Sequence, residues 1–257
     1  MHPIAERTVR KCEIPSIFCP GCGSGTILNA LLRIVDKMGQ ENFIFTSGSG
    51  CNGFIPLVID ADEFHTMHGR PVVVATGIKL CRPDKNVVVI SGDGDCMGIG
   101  GNHFIHAARR NIDITVVMVN NYTYGMTGGQ LSPSSPHNLK TKTSPYGNPE
   151  HPFDAVNLAI GAGATFVARE TVTNPRALIK TLEAAIRHKG FSFIDVISQC
   201  PTQVGRAMFG TADASVIFSM IKERAVRDIR KELEPGQFRV GILHEDNVTP
   251  PFAPSCL

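Results

Sequence analysis

Two sets of residues in this chain have the types and spacing that chemistry needs. The first is the turn GDGDCMGIGG, residues 92–101, which directly follows the apolar run NVVVIS. Glycines after a strand let backbone N–H groups approach a phosphate, yet Asp93 and Asp95 would repel one. A dinucleotide fingerprint G-x-G-x-x-G fails, because counting from Gly92 its last position is Met97 and counting from Gly98 it is His103. The phosphate loop G-x-x-x-x-G-K-[ST] occurs nowhere in the chain. The acids are explained if a divalent cation stands between Asp93 and the phosphate, since Mg²⁺ commonly takes one or two carboxylates together with phosphate oxygens. A second protein oxygen is then needed nearby. The run DITVVMVNN ends in Asn120-Asn121, and a strand, turn, helix and strand of this length bring both strand ends to one edge of a parallel sheet.

The second set is the cysteines. Cys19-Pro-Gly-Cys22 precedes a helical pattern, where a thioredoxin-like dithiol would have its thiolate favoured by the helix N-terminus. A structural zinc site would show a second close pair, and none exists. Cys51, soon after NFIFTS, and Cys200, ending GFSFIDVIS, both fall at strand C-termini and can join Cys19 and Cys22 at the same edge. Cys-Pro at 19–20 and 200–201 also occurs in ferredoxin-type ligation, so spacing leaves a [4Fe–4S] cluster, zinc and a redox dithiol all open.

The elements that must position these residues alternate. Strand-like runs cover 42–47, 71–78, 86–91, 113–121 and 190–198, and helical patterns cover 25–38, 102–111, 152–163 and 175–189. Continuous β-branched runs between amphipathic helices predict an α/β fold, a mostly parallel sheet with helices on both faces. The run PVVVATGIKL can also be read as a helix, since periodicity does not settle a short apolar run. Residues 126–152 are too polar for a core element and read as a contact loop. A helix is expected over 213–234, followed by an extended tail, so that 1–206 forms the binding domain and 207–257 an appendage packing on it or on a partner.

The pairing of GDG with NN resembles the diphosphate-binding motif of the thiamine-diphosphate-binding fold. By that resemblance Asp93, the Asn121 side chain and the Thr123 carbonyl ligate Mg²⁺, Gly94 and Asp95 lie against the diphosphate, and Gly125 and Met126 lie across from them. The strings CPGCGSG, GSGCNG, FHTMHGRP, GDGD, HAARRNIDITVVMVNN and YGMTGGQLSP together resemble the β subunit of 2-oxoacid:ferredoxin oxidoreductases over residues 15–206, closest to the 2-oxoglutarate type. The resemblance implies CoA-dependent oxidative decarboxylation of a 2-oxoacid, with electrons passing through a [4Fe–4S] cluster to ferredoxin. It makes Cys19, Cys22, Cys51 and Cys200 the cluster ligands, and Ser49, Gly50, Cys51 and Asn52 a segment touching thiamine diphosphate. His65 and His68 become candidate catalytic residues near cofactor and substrate. Cys12, Cys81, Cys96 and Cys256 match no ligand position. No Glu stands in a context matching the one that activates the cofactor, which fits a family whose pyrimidine-binding domain lies on a separate α chain; further small subunits are possible partners.

The composition is that of an ordinary soluble globular chain. Twenty-five Lys+Arg against 23 Asp+Glu leave a formal charge of +2, with no basic block to support nucleic-acid binding. No export signal and no window of roughly 18 apolar residues is present, so a cytoplasmic chain without a membrane span is expected.

Overall fold

The computed structural model describes residues 2–253. In chain order its helices are α1 (Pro3–Thr8), α2 (Ser24–Met38), α3 (Phe54–Val58), α4 (Pro71–Cys81), α5 (Gly101–Arg109), α6 (Ala155–Gly161), α7 (Pro175–Arg187), α8 (Arg206–Phe209) and α9 (Ala214–Arg224). Its strands are β1 (Phe43–Ser47), β2 (Asp62–His65), β3 (Asn86–Gly92), β4 (Thr115–Asn120), β5 (Phe166–Thr171), β6 (Ser192–Ile197), β7 (Ala225–Val226), β8 (Phe238–Arg239) and β9 (Gly241–Glu245). The main sheet runs β2-β1-β3-β4-β6-β5-β9, parallel except for β9, which pairs antiparallel with β5.

Central strands without polar alternation are buried on both faces, and the two cores divide them by parity. Val88 and Ile90 of β3 and Val117 and Val119 of β4 pack under α2, α3 and α7. Val87 and Val89, with Val116 and Met118, pack under α4, α5 and α6. Phe104 of α5 meets Phe191 and Phe193 edge-on at 5.4 and 5.0 Å, the arrangement ring quadrupoles favour. Helix α7 carries Pro175 at its first turn, and the Asn174 side chain accepts from the Ala177 N–H, a cap that contributes about 1 kcal/mol.

Three expectations are corrected. Residues 71–78 are helix, not strand: Pro71 starts a helix whose Val72, Ala75 and Lys79 are buried at helical spacing, and β1 pairs directly with β3, leaving no slot in the sheet. The helix expected over 213–234 stops at Arg224, because Ala225 and Val226 pair with Phe238 and Arg239, and the Arg227 guanidinium reaches the buried Glu170 carboxylate at 2.6 Å. Strands β2, β5 and β9 were not among the expected elements; β2 and β9 are exposed edge pieces, and FVARET interleaves polar residues that are buried through partners such as Arg169–Asp195. Residues 249–252 lie extended against Asn111, whose side chain and carbonyl bond to them, while Cys256 falls outside the described residues. Among the described residues, no helix is long and apolar enough to cross a membrane.

The order of strands fixes where a ligand can sit. From β1 the chain turns outward to β2, and from β3 it moves the other way to β4, so the sheet reverses direction between β1 and β3. Crevices beyond the C-terminal ends of strands at such a reversal are where open α/β sheets bind ligands.

Candidate functional site

A cavity of about 130 Å³ opens at that reversal, lined by residues that follow β1 (Ser49, Gly50, Cys51, Asn52), β3 (Gly92 to Asp95) and β4 (Asn121, Thr123 to Thr127), with His68. Segments far apart in sequence would otherwise have no reason to meet; the parallel register of β1, β3 and β4 aligns their ends. The candidate residues Ser49, Gly50, Cys51, Asn52, Gly94, Asp95, Gly125 and Met126 therefore all line one space.

Asp93 is 1% exposed, and burial pushes its carboxyl up to about 6, opposed by hydrogen bonds from Ser132, Ser134 and nearby backbone N–H groups. The Asn121 amide has one of its two terminal atoms 3.2 Å from Asp93 Oδ1 and 2.8 Å from the Thr123 carbonyl oxygen. With nitrogen there, the amide donates to both. With oxygen there, it would stand as a third hard oxygen beside Asp93 Oδ1 and the Thr123 carbonyl, the kind of donor set that Mg²⁺ takes. Asn120, by contrast, turns sideways and donates to Asp195 at 3.1 Å.

Asp95 does not point at the cavity centre. Its Oδ1 accepts from the Gly69 N–H at 2.6 Å and from the His68 ring, and its Oδ2 accepts from the Ser91 hydroxyl. Asp95 thus fixes the loop that carries His68, whose ring also meets Tyr124 edge-on at 5.8 Å. His65 ends β2, bonded to the Ser47 hydroxyl at 3.0 Å and stacked on Phe54, and is not part of the cavity wall. Gly94 is required by packing: a Cβ there would lie 2.3 Å from the Tyr124 ring, whose hydroxyl donates to the Gly94 carbonyl at 3.1 Å. Gly94→Ala is expected to displace Tyr124 and cost about 1–3 kcal/mol in urea unfolding, as overpacking typically does; unchanged stability would show that the ring moves freely.

A second cavity of about 100 Å³ adjoins the first. Cys19, Cys22, Cys51 and Cys200 all line it, with Ile17, Phe18, Ser198 and Gln199, and it shares Cys51, Asn121 and Met126 with the first. A Cβ on Gly125 would stand 3.7 Å from Cys200 Sγ and 3.8 Å from Cys51 Sγ, so glycine keeps the wall between the cavities thin. The two thiols titrate high, Cys51 through burial and then the charges of Cys200, Cys19 and Cys22, and Cys200 mainly through burial against the pull of the Gln203 and Val204 N–H groups. The four thiols thus surround a common space, while no group of three or more His, Cys, Asp or Glu among the described residues is gathered tightly enough for a single metal ion. Cys12 and Cys81 are exposed elsewhere and Cys96 is buried.

Sequence reasoning missed Tyr124, Ser132 and Ser134. The available signal was position: Tyr124 sits inside the NN-to-Met126 stretch, and the SPSS string begins only six residues after Met126.

A doubly covered parallel sheet with an acidic glycine turn and an Asn-ended strand at its reversal point is the cofactor domain of thiamine-dependent enzymes, and residues 43–196 match the family described as thiamine pyrophosphate enzyme, C-terminal TPP binding domain. The chain is 46% identical over 248 residues to the 2-oxoglutarate synthase subunit KorB of Methanocaldococcus jannaschii, covering 94% of this chain and 91% of that one. It is 52% identical over 190 residues to the KorB subunit of Archaeoglobus fulgidus, covering 74% and 71%. A solved 2-oxoglutarate:ferredoxin oxidoreductase from Magnetococcus marinus, with 2-oxoglutarate, coenzyme A and succinyl-CoA bound, superposes with a TM-score of 0.85 at 32% identity over 96% of this chain and 86% of that one. The chain belongs to the 2-oxoacid:ferredoxin oxidoreductase β subunits.

Proposed function

We propose that this chain is the β subunit of a 2-oxoglutarate:ferredoxin oxidoreductase, binding thiamine diphosphate through Mg²⁺ in the first cavity and a [4Fe–4S] cluster in the second. One observation carries the reading: the two cavities share Cys51, Asn121 and Met126, so a cofactor and a redox centre would be in near contact. The names of the relatives favour 2-oxoglutarate over other 2-oxoacids, and the Magnetococcus marinus enzyme binds CoA and its succinyl thioester.

The donor sets fit these groups. Asp93, Asn121 and the Thr123 carbonyl would offer hard oxygen ligands to Mg²⁺, and the neutral amide and carbonyl keep the site from repelling diphosphate. Four thiols around one space suit a cluster, whose irons each take one cysteine, better than zinc, which needs all ligands on one centre. The bound groups would supply an electron sink for decarboxylation and a one-electron outlet, with CoA taking the acyl group. This chain's own residues do the positioning. Ser49, Gly50 and Asn52 form the wall opposite Gly94; the Ser24 hydroxyl fixes the Asn52 amide at 3.0 Å; and His68, its ring held by Asp95, is the histidine we assign to the substrate side. The glutamate that activates the pyrimidine is assigned to an α partner, and ferredoxin to the acceptor role, within an assembly kept in the cytoplasm.

Iron and acid-labile sulfide measured on the chain purified without oxygen, together with what copurifies, should give about four of each per chain and an EPR signal on reduction. The colour should bleach in air. Zinc alone, or no metal, would move the protein to a non-redox thiamine lyase or a dithiol enzyme.

A further inference from the structure

We propose that Ser132 and Ser134 are positioning residues for the cation, which makes the polar loop 126–152 part of the cofactor apparatus rather than a cover over it. The proposal rests on the Mg²⁺-bridged reading of the first cavity. Both hydroxyls donate to the same oxygen of Asp93, Oδ2, Ser132 at 2.5 Å and Ser134 closer still. Held from that side, the carboxylate keeps its Oδ1 toward the Asn121 amide, which also reaches the Thr123 carbonyl, the direction in which a cation would be shared.

The serines are themselves fixed to the turn that brings the other two oxygens. Ser132 and Ser134 hydroxyls lie 3.1 Å apart, the Ser132 N–H donates to Ser135 Oγ at 2.8 Å, and Ser135 Oγ donates to the Tyr122 carbonyl at 2.6 Å. The Asn148 amide closes the loop from its far end, donating to the Ser135 carbonyl at 2.9 Å. All three serines and Asn148 are buried, so water does not compete for these bonds. A buried carboxylate needs donors for any fold. Two hydroxyls on one oxygen, with the other oxygen 3.2 Å from the Asn121 amide, orient the carboxylate toward the residues that would share a cation, and groups that orient ligands in this way typically contribute 10–100-fold to metal affinity.

The test is thiamine diphosphate binding to the complete assembly by calorimetry at a series of Mg²⁺ concentrations, for the parent chain, Ser132→Ala, Ser134→Ala and the double variant. The double variant is expected to need roughly 10–100-fold more Mg²⁺ for half-maximal binding, with the single variants between, and to recover the parent thiamine diphosphate affinity once Mg²⁺ saturates. An unchanged Mg²⁺ requirement in the double variant overturns the proposal. So does a loss of binding at every Mg²⁺ concentration accompanied by a lowered Tm in the single variants, which is what a purely structural role would give. If the parent chain itself bound thiamine diphosphate without regard to Mg²⁺, the cation reading would fail first and the proposal with it, a result visible before any serine is changed.

Discussion

Asp93→Ala in the assembled enzyme is expected to weaken thiamine diphosphate binding by more than about 100-fold, exceeding what the loss of a group that merely orients a ligand costs. The carboxylate is the one charged oxygen among the three candidate ligands, and without it the neutral Asn121 amide and Thr123 carbonyl would have to hold a divalent cation alone. Asp93→Asn keeps the volume and tests charge by itself; it too should fail, because a cation needs the anionic ligand and the new amide can pair with Asn121 instead. Binding at parent affinity in either variant would remove the metal bridge from the site. The sign of the pH dependence follows from burial. With its carboxyl at about 6 instead of the ordinary 3.8, Asp93 is mostly neutral below that pH, so Mg²⁺-dependent cofactor affinity should fall about tenfold per unit as pH drops below about 6. The same raised value means that the cation-free protein carries a strained negative charge above pH 6. Its stability should rise as pH falls from about 6 toward 3.8, and saturating cofactor with Mg²⁺ should reverse that slope.

The second large effect concerns the cysteines. Cys200→Ser is expected to reduce cluster iron from about four per chain to a minor fraction, since each iron of the cluster takes one thiolate. Cys96→Ser should leave iron unchanged and cost stability instead. Cys96 is 1% exposed, its thiol pushed well up by burial and the neighbouring Asp95 charge, so it is inert as a ligand, and a hydroxyl in its place adds a buried polar group worth about 1–3 kcal/mol if unpaired. Iron analysis and urea unfolding on the two variants separate the outcomes. Equal iron loss in both would mean that the cysteine cavity does not hold the cluster.

Turn and strand chemistry were legible because local sequence dictates them. NVVVIS and TVVMVN read as doubly buried strands, and a glycine turn carrying Asp93 at the end of one, with Asn121 at the end of the next, points to one sheet edge. PVVVATGIKL was ambiguous for a physical reason: a short run of mostly apolar and small residues satisfies a helix face and a strand equally, and only the direct pairing of β1 with β3 decides that the segment lies on the sheet. The edge strand β9 was invisible because its pairing partner is some seventy residues away and its own burial is partial.

The sequence by itself determined the α/β class, the acid and amide at adjacent strand ends, and which four cysteines could meet at that edge. Tertiary structure alone decided what those residues do with one another. It turned Asp95 away to hold the His68 loop, separated His65 from the cavity, brought Ser132 and Ser134 from the polar loop onto Asp93, and left Cys51 and Asn121 on the wall common to both cavities. Periodicity reports which face of an element is buried, a local property. Which partner meets that face depends on strand order and on loop closure over tens of residues, and these are set by packing of the whole sheet.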